Sequence, residues 1–427
     1  MGQPVSPAGS GHRFSHPGAL TIRPMRADDD LDAELDLRHR SFGPMDGAAR
    51  QHWLDEMQAR IASDAQYGVW DGGELIGTAR YYDMRQYWHG RAVRMAGVGG
   101  VKVAPEARGR GVGRALMAEL LAVLARRGFA LSALFPATAQ IYRSLGWELA
   151  GGRYQVEVPG RSLTSLVAPD PQVPGGLAEA PGPVLLRRVS PGDADEVIAV
   201  LGAVHAASRD CGPVIRDSDS VRRWLADSDL FGYLAPDGFL AYGWHGSGHR
   251  EIIVSVLAAA SADTARALWG IVASHASVTQ VVHATASPVG AVRWLTRDPD
   301  VSLRMDKQWM LRVLDPAAAI AGRGFPSAAR ARVALRLGDP DLPGNAGLYT
   351  LEVADGEGAL ISAATAPSGQ SPCAEPVGFG PRGFAALYAG IPMATLRAAG
   401  LAAGGDLSSD GMLDAVFTAQ PYLLDYF

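Results

Sequence analysis

Residues 99–116, Gly-Gly-Val-Lys-Val-Ala-Pro-Glu-Ala-Arg-Gly-Arg-Gly-Val-Gly-Arg-Ala-Leu, read as a strand that ends in an anion-cradling loop and turns directly into a helix. Val101 and Val103 alternate as a half-buried strand requires, and Pro105 ends its pairing. Arg108-Gly109-Arg110-Gly111-Val112-Gly113 then precedes the apolar-periodic run Ala115, Leu116, Leu120, Leu121, Val123 and Leu124. Glycines let backbone N–H groups approach an anion closely, and a helix N-terminus adds unsatisfied donors and partial positive charge, so a pyrophosphate fits there. A Walker loop would need Gly-Lys-Ser/Thr, which is missing, and a dinucleotide fingerprint would need Gly-x-Gly-x-x-Gly after the first strand with an acid about 20 residues on.

Arg108-x-x-Gly111-x-Gly113 after Val-x-Val-x-Pro instead resembles the acetyl-CoA loop of the GNAT N-acetyltransferase superfamily; the alternative is a glycine-rich turn that merely starts a helix. Composition is compatible with such an enzyme. At 427 residues the chain should form two to four domains, since single cores seldom grow past about 250–300 residues. An apolar share of 48% with 19% charged residues is that of an ordinary globular protein. Met1 to Pro17 lacks the apolar core of a signal peptide, and no run approaches the roughly 18 residues of a membrane helix, so a cytoplasmic protein without a membrane partner is expected. Cys211 and Cys373 are too few and isolated for a disulfide framework or metal cluster, and no metal is expected. A net charge of −5 opposes a nucleic-acid partner. Of 39 basic residues only Lys102 and Lys307 are lysine, a bias that fits a high-GC genome.

Along the chain, residues 1–18 read as disordered and 19–158 as a first α/β domain. In that domain the pattern predicts a first strand at 20–24, helices around 28–42 and 47–62, a hairpin over 67–70 and 74–84 turning at Asp71-Gly72-Gly73, and strands at 129–135 and 147–158 flanking a short helix at 139–145 closed by Gly146. Residues 159–183 read as a linker. From 184 to 314 the order repeats: a strand at 184–189, a helix at 193–207, a hairpin over 231–234 and 238–244, a strand at 251–257 and a helix at 263–275. Its junction at 257–263 has neither glycine nor arginine, so this second domain keeps the fold and lacks the cradle, leaving one cofactor site per chain. Residues 315–427 form an α+β unit with a helix at 315–320, strands at 331–337, 347–353 and 360–365, and helices around 383–389 and 392–399.

From about residue 20 to Phe427 the chain resembles the enhanced intracellular survival proteins, aminoglycoside-modifying N-acetyltransferases with two acetyltransferase-like domains and a sterol-carrier-like third. The resemblance rests on residues 101–105 and 108–114, Ile141-Tyr142-Arg143-Ser144-Leu145-Gly146-Trp147, Asp339-Pro340-Asp341-Leu342-Pro343-Gly344-Asn345, Leu387-Tyr388-Ala389-Gly390 and the ending Asp425-Tyr426-Phe427. It implies Tyr142 as general acid and the terminal carboxylate of Phe427 as general base. It also implies acetyl-CoA held by Val101, Lys102 and Val103, by Arg108, Gly109, Arg110, Gly111, Val112, Gly113 and Arg114, and near Ala137 and Thr138. A hexamer built on trimers is a further implication. A phenol near pKa 10 giving its proton to a thiolate near 8.5 is uphill, so Tyr142 is expected to need a polar or cationic neighbour. The α-carboxylate needs burial to become a useful base.

Phe42, Trp53 and Asp425 are nominated for the amine pocket, because aromatic faces and a carboxylate suit a polycation. Alternatives stand beside these readings. Tyr142 could pack on a sheet, Phe427 could fray, Phe42 and Trp53 could be core aromatics, and the third domain could be a lipid tunnel or a packing scaffold. The leading activity is direct acetyl transfer to an aminoglycoside or similar polyamine in a ternary complex. The alternatives are protein lysine acetylation and a non-catalytic acyl-CoA or lipid binder.

Overall fold

Strand β1 (Thr21–Pro24) leads into α1 (Leu31–Phe42), which starts where the Asp30 carboxylate accepts the backbone N–H groups of Asp32 and Ala33, a standard N-cap. Helix α2 (Gly47–Ala62) buries Trp53, Met57 and Ile61, spaced four apart on one face, as helical periodicity demands. Strand β2 (Gln66–Asp71) pairs antiparallel with β1 and with β3 (Glu74–Trp88). The computed structural model describes residues 20–45, 47–167, 184–246, 248, 250–296, 300–364 and 375–427, so the segment expected to be disordered lies outside the described residues. The chain divides into two compact units, one of residues up to Arg80 with Gly100–Glu119, the other of Tyr81–Gly99 with Leu120–Phe427.

Strand β3 continues well past Met84, and β4 (Arg91–Val103) begins well before Gly99. Outward Arg85 and Arg94 interrupt the buried Met84, Trp88, Val93 and Met95, which hides the length of both strands from a sequence reading. Both run through the two units. Helix α3 (Val112–Arg126) follows the glycine loop. In the second unit β5 (Leu131–Leu134) pairs in parallel with Met95–Val98 of β4, followed by α4 (Ala139–Arg143) and β6 (Glu148–Pro159).

The expected linker is partly structured. Gly160–Ser162 form a 3₁₀ turn and α5 (Leu163–Val167) buries Leu163 and Leu166; residues 168–183 lie outside the described residues. Beyond them run β7 (Arg187–Arg188), α6 (Ala194–Ala207), β8 (Val214–Ile215), α7 (Ser218–Leu225), β9 (Phe231–Ala235), β10 (Gly238–His245) and β11 (Glu251–Ala259). Then come α8 (Ala262–Ala273), on which α5 packs, β12 (Val281–Ala286), α9 (Val292–Leu295) and β13 (Ser302–Val313). The strand expected at 184–189 shrinks to two residues.

The two halves of this sheet exchange their last strands. Strand β13 inserts between β5 and β6, with Met310 opposite Leu134 and Ser302 opposite Glu157. Strand β6 pairs on its other flank with β12, Val282 facing Val158. The remaining elements are α10 (Pro316–Gly322), β14 (Ala331–Leu337), β15 (Gly347–Ala354), β16 (Glu357–Ser362), β17 (Val377–Phe379), α11 (Pro381–Tyr388), α12 (Met393–Ala398), β18 (Ala402–Ala403), α13 (Leu407–Phe417) and β19 (Tyr422–Leu423). Five of these strands form a separate sheet in the order β16-β15-β14-β17-β18. One apolar cluster joins its core residues Leu335, Leu351 and Phe384 to Trp88, Met95, Leu131 and Trp309 of the large sheet. The C-terminal part is thereby welded onto the strands that carry the candidate site.

Candidate active site

In the first unit, Pro105–Ala107 make one 3₁₀ turn, and Gly109 and Gly111 adopt φ of +76° and +79°, the left-handed region glycine occupies without cost. The positions a Cβ would fill at either glycine are empty for 4 Å. Helix α3 starts at Val112, has no acid in its first turn, and Ala115 N–H bonds Gly111 C=O, leaving the earlier N–H groups for an anion. The cradle residues therefore fit a pyrophosphate. Arg110 pairs with Asp71 at 2.6 Å, and Arg108 donates to the Val103 carbonyl at 3.3 Å.

Val101 and Val103 are half-buried and share one face of β4, but Lys102 does not join them. Alternation turns its side chain to the opposite face, where Nζ lies 2.5 Å from Glu34 Oε1, with the two residues 5% and 0% exposed. Thr78 Oγ1 donates to the same oxygen at 3.3 Å, while Glu34 Oε2 has no partner. Burial drives the Lys102 amine down, opposed by the Glu34 carboxylate. The Lys102 side chain is thus committed to the core, so its part in the expected cofactor site falls to its backbone.

In the second unit, Tyr142 lies on α4 and is 5% exposed. Its carbonyl accepts from the N–H groups of Leu145 and Trp147, fixing the turn that Gly146 completes at φ +88°. Burial pushes the phenol up to about 12, with no charged neighbour acting on it. Among the described residues no charged group opposes that burial, so the lowering expected from a cationic neighbour is not found there. Ala137 and Thr138 are both exposed in the turn before α4, and Thr138 occupies the N-cap position without a side-chain cap bond.

The tail does not fray. Strand β19 pairs in parallel with Gly152 and Arg153 of β6, Tyr422 N–H bonds Cys211 C=O at 3.0 Å, and Arg153 Nε donates to Leu424 C=O at 3.3 Å. Phe427 is 8% exposed. Its ring lies 5.6 Å from that of Phe135, just past β5, and a Cβ on Gly97 of β4 would meet it at 2.9 Å. The terminal residue thus sits against neighbouring strands β4 and β5. No hydrogen bond joins Tyr142 to Phe427 among the described residues.

The three residues nominated for the amine pocket differ in their settings. Phe42 is exposed at the end of α1, but Trp53 is 8% exposed in the helical core of the first unit, where the period of α2 directs it. Asp425 is not an open carboxylate, because Arg216 Nε pairs with it at 3.2 Å. Arg216, Arg153, Phe135 and Gly97 were missed in the sequence. The Phe-Pro step after β5 and the Gly-rich run of β4 were the available signals.

Residues 21–150 match the family model described as an acetyltransferase (GNAT) domain, residues 212–313 match a second model of the same description, and residues 316–424 match a sterol carrier protein domain. A crystal structure of a GCN5-related N-acetyltransferase from Kribbella flavida is 41% identical, with a TM-score of 0.85, covering 96% of this chain and 98% of that one. N-acetyltransferase Eis of Mycobacterium tuberculosis is 27% identical over 341 residues, which is 72% of this chain and 74% of its own. Eis1 from Mycobacterium abscessus shares the fold at 22% identity and a TM-score of 0.70, over 95% of this chain and 100% of that one. Two acetyltransferase-like parts and a sterol-carrier-like third are therefore the architecture, as the sequence pattern anticipates.

Proposed function

The chain belongs to the GCN5-related N-acetyltransferases, and on that premise we propose that it transfers acetyl from acetyl-CoA to an amine of an aminoglycoside or similar polyamine by direct attack in a ternary complex. Acetyl-CoA, when bound, supplies the thioester carbonyl that the amine attacks. The backbone of Val101, Lys102 and Val103 holds the pantetheine arm and offers an N–H donor to the carbonyl oxygen, the oxyanion logic of acyl transfer. The loop from Arg108 to Arg114, through Gly109, Arg110, Gly111, Val112 and Gly113, holds the phosphates, with Ala137 and Thr138 beside the cofactor. Phe42 lines the amine's approach.

The observation that carries the acid–base reading is the burial of Phe427 at strands β4 and β5. A terminal carboxylate held by a packed ring is a positioned base, and positioned acids and bases each contribute roughly 10²- to 10⁴-fold. Tyr142 is the acid. With its pKa raised to about 12 it is protonated at every working pH, yet full transfer to a thiolate near 8.5 is uphill by roughly 5 kcal/mol. The hydroxyl therefore donates a hydrogen bond to the departing sulfur and yields its proton as the bond breaks.

The polyamine class and assembly as a hexamer are carried by the family resemblance, and a cytoplasmic setting by the sequence pattern of the N-terminal segment and the two cysteines. No helix among the described residues is long and apolar enough to cross a membrane. The test is thiol release from acetyl-CoA against aminoglycosides, polyamines and lysine peptides, with protein tagged only at its N-terminus so that Phe427 stays free. Saturable turnover that drops at least about a hundredfold on deletion of Phe427 supports the assignment. Acetyl-CoA binding without thiol release on any amine would favour an acyl-CoA-binding protein instead.

A further inference from the structure

The chain contains two lysines, and the fold places them oppositely. Lys102 is sealed in the core against Glu34, whereas Lys307 is exposed on β13, with Nζ 4.6 Å from the centroid of the Tyr426 ring. That ring lies 4.8 Å from Phe135, whose own ring is 5.6 Å from Phe427. The register explains the aim. Strand β13 last pairs with β5 at Met310 opposite Leu134, so Lys307 lies three residues beyond the end of β5, on the side where Phe135 meets the tail.

A β-bulge lies between Met305 and Lys307, leaving Asp306 without an opposite residue on β6. Such bulges re-aim side chains near functional sites. Here Arg153, opposite Lys307, takes the Asp306 carboxylate at 2.7 Å and also donates to the Leu424 carbonyl. The acid beside Lys307 is thus occupied by an arginine, and among the described residues no carboxylate pairs with Lys307. An ammonium held by a ring face, on a flexible four-carbon stem, beside the terminal residue, is an amine presented to the enzyme's own site.

We propose that Lys307 is a site of self-acetylation, with acetyl-CoA as donor and the Lys307 side-chain amine as acceptor. This rests on the reading of Phe427 as base and Tyr142 as acid. The terminal carboxylate takes a proton from the Lys307 ammonium, the freed nitrogen bonds the acetyl carbon, the nitrogen of that adduct gives its second surplus proton to water, the C–S bond breaks, and the departing sulfur takes the Tyr142 proton. The products are an acetamide on Lys307 and the free thiol of CoA, with one proton released and Tyr142 reprotonated from solvent. Acetylation removes the positive charge that faces the Tyr426 ring.

The test is intact-mass and peptide mass spectrometry of full-length, N-terminally tagged protein incubated with acetyl-CoA, using an arginine-specific digest. The expected result is one acetyl group, on Lys307 and not on Lys102, added at a rate per molecule unchanged by diluting the protein about tenfold. It should be lost in Lys307→Arg and slowed at least about tenfold in Tyr142→Phe and in the Phe427 deletion. Acetylation at equal rate in both active-site variants, or a rate that falls with dilution, overturns the proposal. So does an unmodified Lys307 in protein that acetylates added amines by a Phe427-dependent route, a result that leaves the proposed function standing. Silence toward Lys307 and every added amine would overturn both.

Discussion

Replacing Lys102 with methionine removes one half of a buried ion pair and leaves the other. Glu34 is fully buried, its Oε1 would keep only the Thr78 hydroxyl at 3.3 Å, and Oε2 already lacks a partner. Breaking such a pair from one side costs about 3–5 kcal/mol, because a charge stays behind in low dielectric, whereas replacing both partners by apolar groups is near neutral or stabilising. Lys102 lies between Val101 and Val103, so the cost falls on the strand proposed to hold the thioester. Hydrogen exchange at the Val101–Val103 amides reads it locally. Lys102→Met should speed exchange roughly 10²- to 10⁴-fold and raise KM for acetyl-CoA, and Lys102→Met with Glu34→Leu should restore most of the protection. A double variant as poorly protected as the single one, or a single variant indistinguishable from the parent, would refute the view that an uncompensated carboxylate is the cause.

Three further outcomes follow from the same geometry. Valine at Gly109 or Gly111 must adopt a left-handed φ, costing roughly 1–2 kcal/mol, so acetyl-CoA affinity by calorimetry should fall about tenfold, and unchanged affinity would remove the loop from the cofactor site. Gly97→Ala places a methyl 2.9 Å from the Phe427 ring and 3.1 Å from Met84 Sδ; kcat should fall at least about tenfold with acetyl-CoA binding retained, and an unaltered kcat would detach Phe427 from the chemistry. For pH, Tyr142 is raised to about 12 in the folded chain against about 10 when unfolded, so the unfolded state loses its proton first as pH rises. The stability held by the neutral phenol is complete below about pH 10 and gone by about 12, at most roughly 3 kcal/mol. Urea titrations across that window should show the parent losing stability faster than Tyr142→Phe, and parallel slopes would contradict the burial of the hydroxyl.

The glycine loop was legible because its signal is local: a strand, a proline, glycines that need positive φ, and a helix start all lie within about twenty residues. The strand's own alternation, Val101 and Val103 on one face, already put the Lys102 side chain on the other. The remaining differences are non-local. Asp425 reads as an open carboxylate until Arg216, 209 residues earlier in the chain, is found against it. Trp53 has the helical spacing of a core residue with Met57 and Ile61, and packing decided it. The exchange of β13 into the first half could not be read, because two tandem copies of one pattern offer each last strand two chemically similar neighbours.

That exchange sets the strands on which the end of the chain docks. With β13 between β5 and β6, and the core of the C-terminal sheet in one apolar cluster with the same strands, β19 docks on β6 with only two residues of pairing. The docking groove is shaped by missing side chains. A Cβ at Gly151 would lie 2.3 Å from the Pro421 carbonyl oxygen, and one at Gly212 would lie 2.2 Å from that of Tyr422, so neither position admits another residue while the tail is in place. Arg153 then ties the Leu424 carbonyl, Asp306 and Thr285 together through one guanidinium, using the rigid fork of donors that lysine lacks. A free terminus ordinarily frays because little holds it against chain entropy; here backbone pairing, a buried aromatic ring and an arginine clamp oppose that entropy together. On the proposed reading the terminal carboxylate is the base, so fusing one residue to Phe427, which converts it to an amide, should lower turnover at least about tenfold.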